Sequence, residues 1–446
     1  MMCVFKFYLN ACVGAMLIWA TTASPLQGQP QPLATQAARQ EQLARERQRL
    51  QPQHYDRRRY PLTPDQETHW RRLLWATALQ QPQHPDVFQA LRDILGRSQA
   101  QHPTPTETKI ITQALQVSNL YIRQYPATRP QLQASLTQVV QTSPHPRWVA
   151  LALNALVRSG SLSPAQTSQW LTQTRQRFPQ PPDLLAVVLQ ELAQTPLPLP
   201  PLPELLAWQA QPGQMQLYVF CHNNRWQPCT FIVKDYQGEF YREGGQLWSR
   251  PLLLQSVYGL DWAFTYGQTP QGLQRVAGVT ATRPGELFRA YGQFPLVKLF
   301  LPLEAGAPEF FPGEPAPSLT AYQERLPPSW RDYAPLHQSY YAGRLGRGLL
   351  RIHGTGDAPE LFTRPAGVEH QWNPALGCLT ALELYTPQGE LHQGDMGDIL
   401  RVLDQASGGT LLGYLLVVEL PDSVPMTAGT GWLEAYLAGL PGRVRP

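Results

Sequence analysis

The chain has 446 residues, a formal net charge of +4, 15% charged residues and 45 prolines. That length allows more than one domain and a sizeable core. The charged fraction lies well below the roughly 25% of an average soluble protein. The longest basic run is Arg57-Arg58-Arg59, in a polar stretch, so composition argues against a nucleic-acid partner.

Residues 1–23 read as a secretory signal peptide: Lys6 gives a positive start, residues 11–20 form an apolar run, and Thr21-Thr22-Ala23 offers small residues for cleavage. The apolar run is short for a bilayer span, and no other stretch reaches that length. The alternative reading is an uncleaved N-terminal anchor. With cleavage, the expectation is an exported protein of the periplasm or cell envelope with no transmembrane segment. Cys3 and Cys12 then belong to the signal, and Cys221, Cys229 and Cys378 remain. Export permits disulfides, and an odd number of cysteines leaves one thiol that asks for a reason.

Residues 24–60 are rich in Gln, Ala, Arg and Pro and read as a polar spacer, with a helix allowed over 36–50. Residues 63–194 read as an all-α stack of about seven helices joined by short Pro-containing turns. Thr63-Pro64-Asp65-Gln66 and Ser163-Pro164-Ala165-Gln166 have the form of capped helix starts, and His84-Pro85 and His145-Pro146 open apolar-periodic runs. The spacing between similar helices is not constant, so no regular repeat is implied. The stack's His and Trp residues (His69, Trp70, Trp75, Trp148, Trp170) read as core and caps, and the stack offers a surface for a protein partner.

Residues 195–213 form a Pro-rich linker, and few contacts are expected to cross it. From 214 to 446 the period changes to that of short strands separated by Asn, Asp and Gly turns. Strands are expected around QLYVFCHNN, CTFIVKD, GEFYREGGQLWS, GLLRIHG and GTLLGYLLVVEL, one helix over 395–406, and long loops between about 280 and 345. The fold class is therefore multidomain α and β, an all-α helical stack followed by a mostly β domain. In the hairpin LYVFCHNNRWQPCTFIV, Cys221 and Cys229 face each other across a turn-rich segment. Cross-strand neighbours lie close enough to bond, so this pair is the expected disulfide.

The remaining thiol, Cys378, follows Gly377 in Pro374-Ala375-Leu376-Gly377-Cys378-Leu379-Thr380. A Gly before a nucleophile tolerates the tight backbone that turns successive N–H groups toward one oxyanion. Upstream, residues 348–353 read as a strand ending in His353, broken by Gly354-Thr355-Gly356. A His mounted there would be rigid and could favour the thiolate. Taken alone, a Cys after Gly is most often a small buried core residue. His370, eight residues before Cys378, is the rival base, in a polar loop with no sign of a rigid mount. His222, His337 and His392 read as surface or turn residues. A zinc site from His353, His370 and Cys378 fits no common spacing. Gly354-Thr355-Gly356 lacks the third Gly and the helix of a nucleotide loop. Asp395 and Asp398 read as helix-capping residues rather than paired glycosidase acids.

Three motifs occur in order: Thr269-Pro270-Gln271-Gly272, Ile352-His353-Gly354-Thr355 and Gly377-Cys378. In that order they resemble the YkuD-type L,D-transpeptidases, over roughly residues 214–420. The resemblance implies that Cys378 attacks a peptide carbonyl, that His353 is base and then acid, and that the Gly354 carbonyl orients its ring. It also implies an oxyanion hole from the N–H groups of Leu376, Gly377 and Cys378, with substrate contacts near Thr380. The implied donor is a peptidoglycan stem peptide ending in a D-amino acid, and the acceptor is a second stem or water. No cofactor and no metal are implied. The chain departs from the family's pattern at Ala375 and Leu376, where Ser or Thr and then His are usual, and at Thr380, where Arg or Asn is usual. Those departures define a second reading, a catalytically inactive transpeptidase-like fold that binds cell wall or acts as a scaffold.

Overall fold

The computed structural model describes residues 32–195, 197–281, 293–314, 316–356, 374–424, 426 and 430–438. The expected signal peptide and the rival base His370 lie outside the described residues. Among the described residues, no helix is long and apolar enough to cross a membrane.

The helical part begins with α1 (Gln36–Arg49) and continues with the seven helices expected over 63–194. These are α2 (Glu67–Gln80), α3 (Pro85–Leu95), α4 (Pro105–Gln124), α5 (Arg129–Thr142), α6 (Pro146–Arg158), α7 (Pro164–Arg177) and α8 (Asp183–Ala193). Pro at the first turn of α3, α4, α6 and α7 supplies a fixed φ where no N–H is needed. Ser163 and Gln166 form the expected capping box, and Thr104 with Glu107 forms a second that sequence alone did not single out. Thr63 makes no side-chain cap, because residues 64–66 form a 3-10 turn and α2 starts at Glu67. The stack's polar aromatic groups are structural: His145 Nε2 meets the Ala100 carbonyl at 2.8 Å and Trp148 Nε1 donates to Thr112 at 3.0 Å.

Two stretches expected to be free are docked. In the spacer, α1 buries Leu43, and Gln36 N–H donates to the Pro387 carbonyl at 2.9 Å. In the Pro-rich linker, α9 (Leu202–Ala207) buries Leu202, Leu205 and Leu206, while Lys234 Nζ donates to the Leu206 carbonyl at 2.7 Å. Three leucines at near-helical spacing outweigh the prolines around them, since burying each is worth about 1.5–3 kcal/mol.

The β domain is built on β1 (Met215–His222), β2 (Cys229–Lys234), β5 (Arg250–Leu252), β6 (Gly272–Thr280), β7 (Leu296–Phe300), β8 (Leu350–Gly356), β9 (Leu379–Tyr385), β10 (Leu391–Gly394) and β11 (Leu412–Leu420). They form a nine-stranded sheet in the order β10-β9-β8-β7-β6-β11-β1-β2-β5. Leu253 and Thr380 exchange backbone hydrogen bonds of 2.9 Å, so the curled sheet meets itself near its two ends. Side chains alternate across each strand. Leu217, Val219 and Cys221 face one core with Leu415, Val417 and α12 (Met396–Ala406). Tyr218 and Phe220 face a second core with Tyr414, α9 and α13 (Gly431–Leu437). The segment 238–249 yields only the two-residue strands β3 (Arg242–Glu243) and β4 (Gln246–Leu247). The region 280–345, expected as loops, carries β7, α10 (Leu319–Glu324) and α11 (Gln338–Arg344). The disulfide Cys221–Cys229 is present, at the position that follows Phe220 opposite Thr230 in the β1–β2 register.

The first core is continuous from the helical stack into the β domain. At its edge, Asp261 is held between two helices: Arg123 of α4 reaches Oδ1 and Arg158 of α6 reaches Oδ2, each at 2.7 Å. Asn119 Nδ2 donates to the carbonyls of Tyr258 and Gly259 at 2.9 and 3.1 Å, and Trp262 Nε1 to Glu191 of α8 at 3.2 Å. The helical stack thus grips the loop that leads into Thr269.

Candidate active site

Strands β8 and β9 are parallel neighbours, with Ile352 beside Leu379 and His353 beside Thr380. Cys378 stands one residue before β9 and is level with Arg351. Ile352, Leu379 and Ala381 enter the core, so alternation puts Arg351, His353, Cys378 and Thr380 on the other face. A rise of about 3.3 Å per residue and a strand spacing of about 4.8 Å place the His353 and Cys378 Cα atoms about 8 Å apart. Among the described contacts no hydrogen bond joins the two side chains: the thiol turns to the Leu349 carbonyl and the His353 Nδ1 to the Gly354 carbonyl.

His353 does not end its strand. β8 runs on to Gly356, and Gly354 stays in the ladder beside Ala381. The glycine is required by space rather than by a turn: a Cβ there would lie 1.8 Å from Glu383 Oε1. The His353 Nδ1 is 2.9 Å from the Gly354 carbonyl. A carbonyl only accepts, so Nδ1 carries the hydrogen and Nε2 keeps its lone pair. Burial lowers the imidazole pKa, with the Gly354 carbonyl working partly against it. His353 is therefore neutral near pH 7, the form a base needs.

Cys378 is half-buried and is the free cysteine among the described residues. Burial pushes its thiol up, while the Arg351 N–H and the charges of Arg351 and Arg347 pull it down. The net shift is upward, so the resting pair is neutral thiol and neutral imidazole. The thiol points to the Leu349 carbonyl, at 3.8 Å. Leu349 has φ of +62° and is 74% exposed, a strained conformation for a branched residue. Glu304 holds it there, accepting from Leu349 N–H at 2.8 Å and from Leu301 N–H at 2.9 Å.

The Gly377 turn is fixed by the first motif. Thr269, fully buried, donates its hydroxyl to the Gly377 carbonyl at 2.8 Å. Behind the turn lies Arg347, whose guanidinium donates to the carbonyls of Gly267 at 2.8 Å, of Gln268 at 3.0 Å and of Trp262. Burial brings Arg347 down to about 10, so it stays charged at neutral pH. The segment is also tied at Ala375, which exchanges backbone hydrogen bonds with Gln255 at 3.2 Å and Val257 at 2.9 Å. The N–H groups of Leu376, Gly377 and Cys378 donate to no described residue. Gly377 has φ of +113°, and a Cβ would lie 2.7 Å from both Arg347 Nη2 and the Gly267 carbonyl. Gly377→Ala is therefore expected to cost about 1–3 kcal/mol of stability and to slow acylation of Cys378 by roughly a hundredfold through misplaced donors. Urea unfolding and the rate of acyl-adduct formation check this, and wild-type values in both would remove the turn from the argument.

The other candidates fall elsewhere. Thr380 is buried, with its hydroxyl 3.2 Å from the Leu253 carbonyl, so it sits where the sheet closes. His337 lies in a 3-10 turn, as one of its two readings had it, but is buried, with Nε2 at 2.7 Å from the Arg331 carbonyl. Asp395 makes no side-chain cap. It and Asp398 face Arg250 instead, and Asp398 also accepts from Trp248 Nε1 at 2.9 Å. Arg347, Leu349, Arg351 and Glu304 were not legible as site residues, because nothing in their local sequence marks them. Compared with known proteins, the chain matches no family model, and neither a curated protein nor a solved structure matches it significantly.

Proposed function

We propose that the β domain is an exported cysteine acyltransferase acting on peptidoglycan stem peptides, an L,D-transpeptidase or a related carboxypeptidase. The observation that carries this reading is convergence: Thr269 of the first motif bonds Gly377 of the third, the second lies on β8, and the third leads directly into β9, the parallel neighbour of β8. As Cys378 Sγ attacks the carbonyl, His353 Nε2 takes the thiol proton. The N–H groups of residues 376–378 receive the negative charge on oxygen. Collapse to the thioester expels the amine, which takes the proton back from His353. A second amine or water then attacks the thioester with His353 again as base. The Cys221–Cys229 disulfide supports export, since such bonds persist mainly in oxidising compartments.

The test is incubation of the full chain with tetrapeptide-stem peptides and intact-mass detection of the acyl adduct. The wild type is expected to gain the mass of the acyl fragment and Cys378→Ser to gain none, because an alkoxide is much harder to generate than a thiolate. Equal adduct in Cys378→Ser would overturn the thiol mechanism. An unreactive wild-type thiol would favour the wall-binding, inactive alternative.

A further inference from the structure

Among the described residues, two cations stand on the sheet face that carries the thiol, Arg351 and Lys298. Arg351 is level with Cys378, its N–H is bonded toward the sulfur, and its charge acts on it. Lys298 of β7 stands directly beside Arg351 in the β7–β8 register. Both side chains are half-buried. The Arg351 Nη1 donates to the carbonyls of Leu350 at 2.6 Å and Leu299 at 3.3 Å, and the guanidinium lies 5.7 Å from the Phe300 ring. These contacts fix the head group without neutralising it. Among the described residues, neither Arg351 nor Lys298 pairs with a carboxylate, whereas Arg123, Arg158, Arg225 and Arg250 all do. Arg347, the second guanidinium near the sulfur, is buried behind the turn and occupied by three carbonyls. Among the described residues, the cation near the thiol that no carboxylate pairs and no cluster of carbonyls buries is therefore Arg351.

We propose that Arg351, with Lys298 beside it, is a carboxylate subsite that seats the free α-carboxylate of the residue leaving from Cys378. A planar guanidinium matches a carboxylate with two parallel hydrogen bonds. A site built for that charge rejects an analogue that leaves it unpaired. The donor is then a peptide whose scissile bond precedes a C-terminal residue with a free carboxylate, not an amidated or internal bond. The choice of donor rests on the proposed acyl transfer, whereas the anion subsite itself does not.

The experiment uses two alkylating probes of nearly equal shape, iodoacetate and neutral iodoacetamide, on the full chain. Rates are read by mass spectrometry at the peptide containing Cys378. The quantity is the iodoacetate-to-iodoacetamide ratio relative to free cysteine, because any change in thiol pKa slows both probes alike. The wild-type ratio is expected to exceed that of free cysteine by about tenfold, as one charge-assisted contact allows. Arg351→Gln should return it to near the free-cysteine value, Lys298→Gln should lower it about threefold, and Arg351→Lys should keep part of it. A wild-type ratio equal to that of free cysteine, or one unchanged in Arg351→Gln, overturns the subsite. If Arg351→Gln does not fold, Arg351→Lys and Lys298→Gln give the same decision. A second arm compares stem peptides ending in a carboxylate with the same peptides amidated. Raised probe ratios with no acylation by either peptide would sink the acyl-transfer reading and leave the anion site standing. Equal acylation by both peptides would sink the subsite and leave acyl transfer standing.

Discussion

His353→Ala is expected to lower the rate of Cys378 acylation by about a thousandfold, within the range for losing a positioned general base. The resting pair explains the size. Burial holds the thiol up and the imidazole down, so neither partner is charged before the substrate arrives. The thiol then has no standing thiolate to fall back on when the base is removed. Combining His353→Ala with Cys378→Ser should add little, because members of one catalytic unit are not additive. The same electrostatics fix the pH profile. In the proposed mechanism acylation requires neutral His353, so its rate should fall as pH drops through that residue's pKa. The pKa lies below the ordinary 6.5, so activity should persist further into acid than for an unperturbed histidine. The alkaline limb should not fall through thiol ionisation until above the ordinary 9.0, since the thiol is shifted upward. Single-turnover acylation across pH, monitored by mass, checks both limbs. An acid limb above 6.5 would contradict the buried, neutral imidazole.

Asp261→Asn is expected to destabilise the protein by about 3 kcal/mol, the lower end for breaking a buried charge cluster. The lower end applies because Arg158 keeps 37% exposure while the Asp261 side chain keeps 10%. Burial pushes the Asp261 carboxyl up, but Arg123 and Arg158 together outweigh it, and the net shift is downward. A carboxyl lowered in the folded state stabilises above its unfolded pKa, near 3.9. That contribution is lost as pH falls through the folded value. The gap between wild type and Asp261→Asn in urea unfolding should therefore be full at neutral pH and shrink below about pH 4. Acylation should fall as well, because the loop held by Asp261 runs on to Gly267 and Thr269, which support Arg347 and the Gly377 carbonyl. Unchanged stability at neutral pH would show that the helical stack does not hold this loop.

What the sequence determined by itself is what neighbouring residues encode. The apolar period and the Pro-led starts mark the seven helices over 63–194, and Ser163-Pro164-Ala165-Gln166 marks one start to the residue. Alternation and turn residues mark the hairpin that places Cys221 opposite Cys229. The same local signals mark the strand through Ile352 and His353 and the helix expected over 395–406, observed from Met396, and the order of the three motifs offers Cys378 and His353 as the candidates. Prolines misled the reading of residues 195–213, because the cost of ordering α9 is offset by burying leucines in a core that only the β domain supplies. The Gly354 break was also misread, since the need for glycine comes from Glu383 on another strand. The site itself was decided by tertiary structure. Thr269 meets Gly377 across 108 residues, Arg347 meets Gly267 across 80, and Arg123 meets Asp261 across 138. No periodicity reports such contacts, because each depends on how the sheet curls and on which face of it the helices pack. The charge around the thiol follows from the same cause: the Arg347 guanidinium is buried against three carbonyls and that of Arg351 stays half-buried, and only the folded chain assigns which is which.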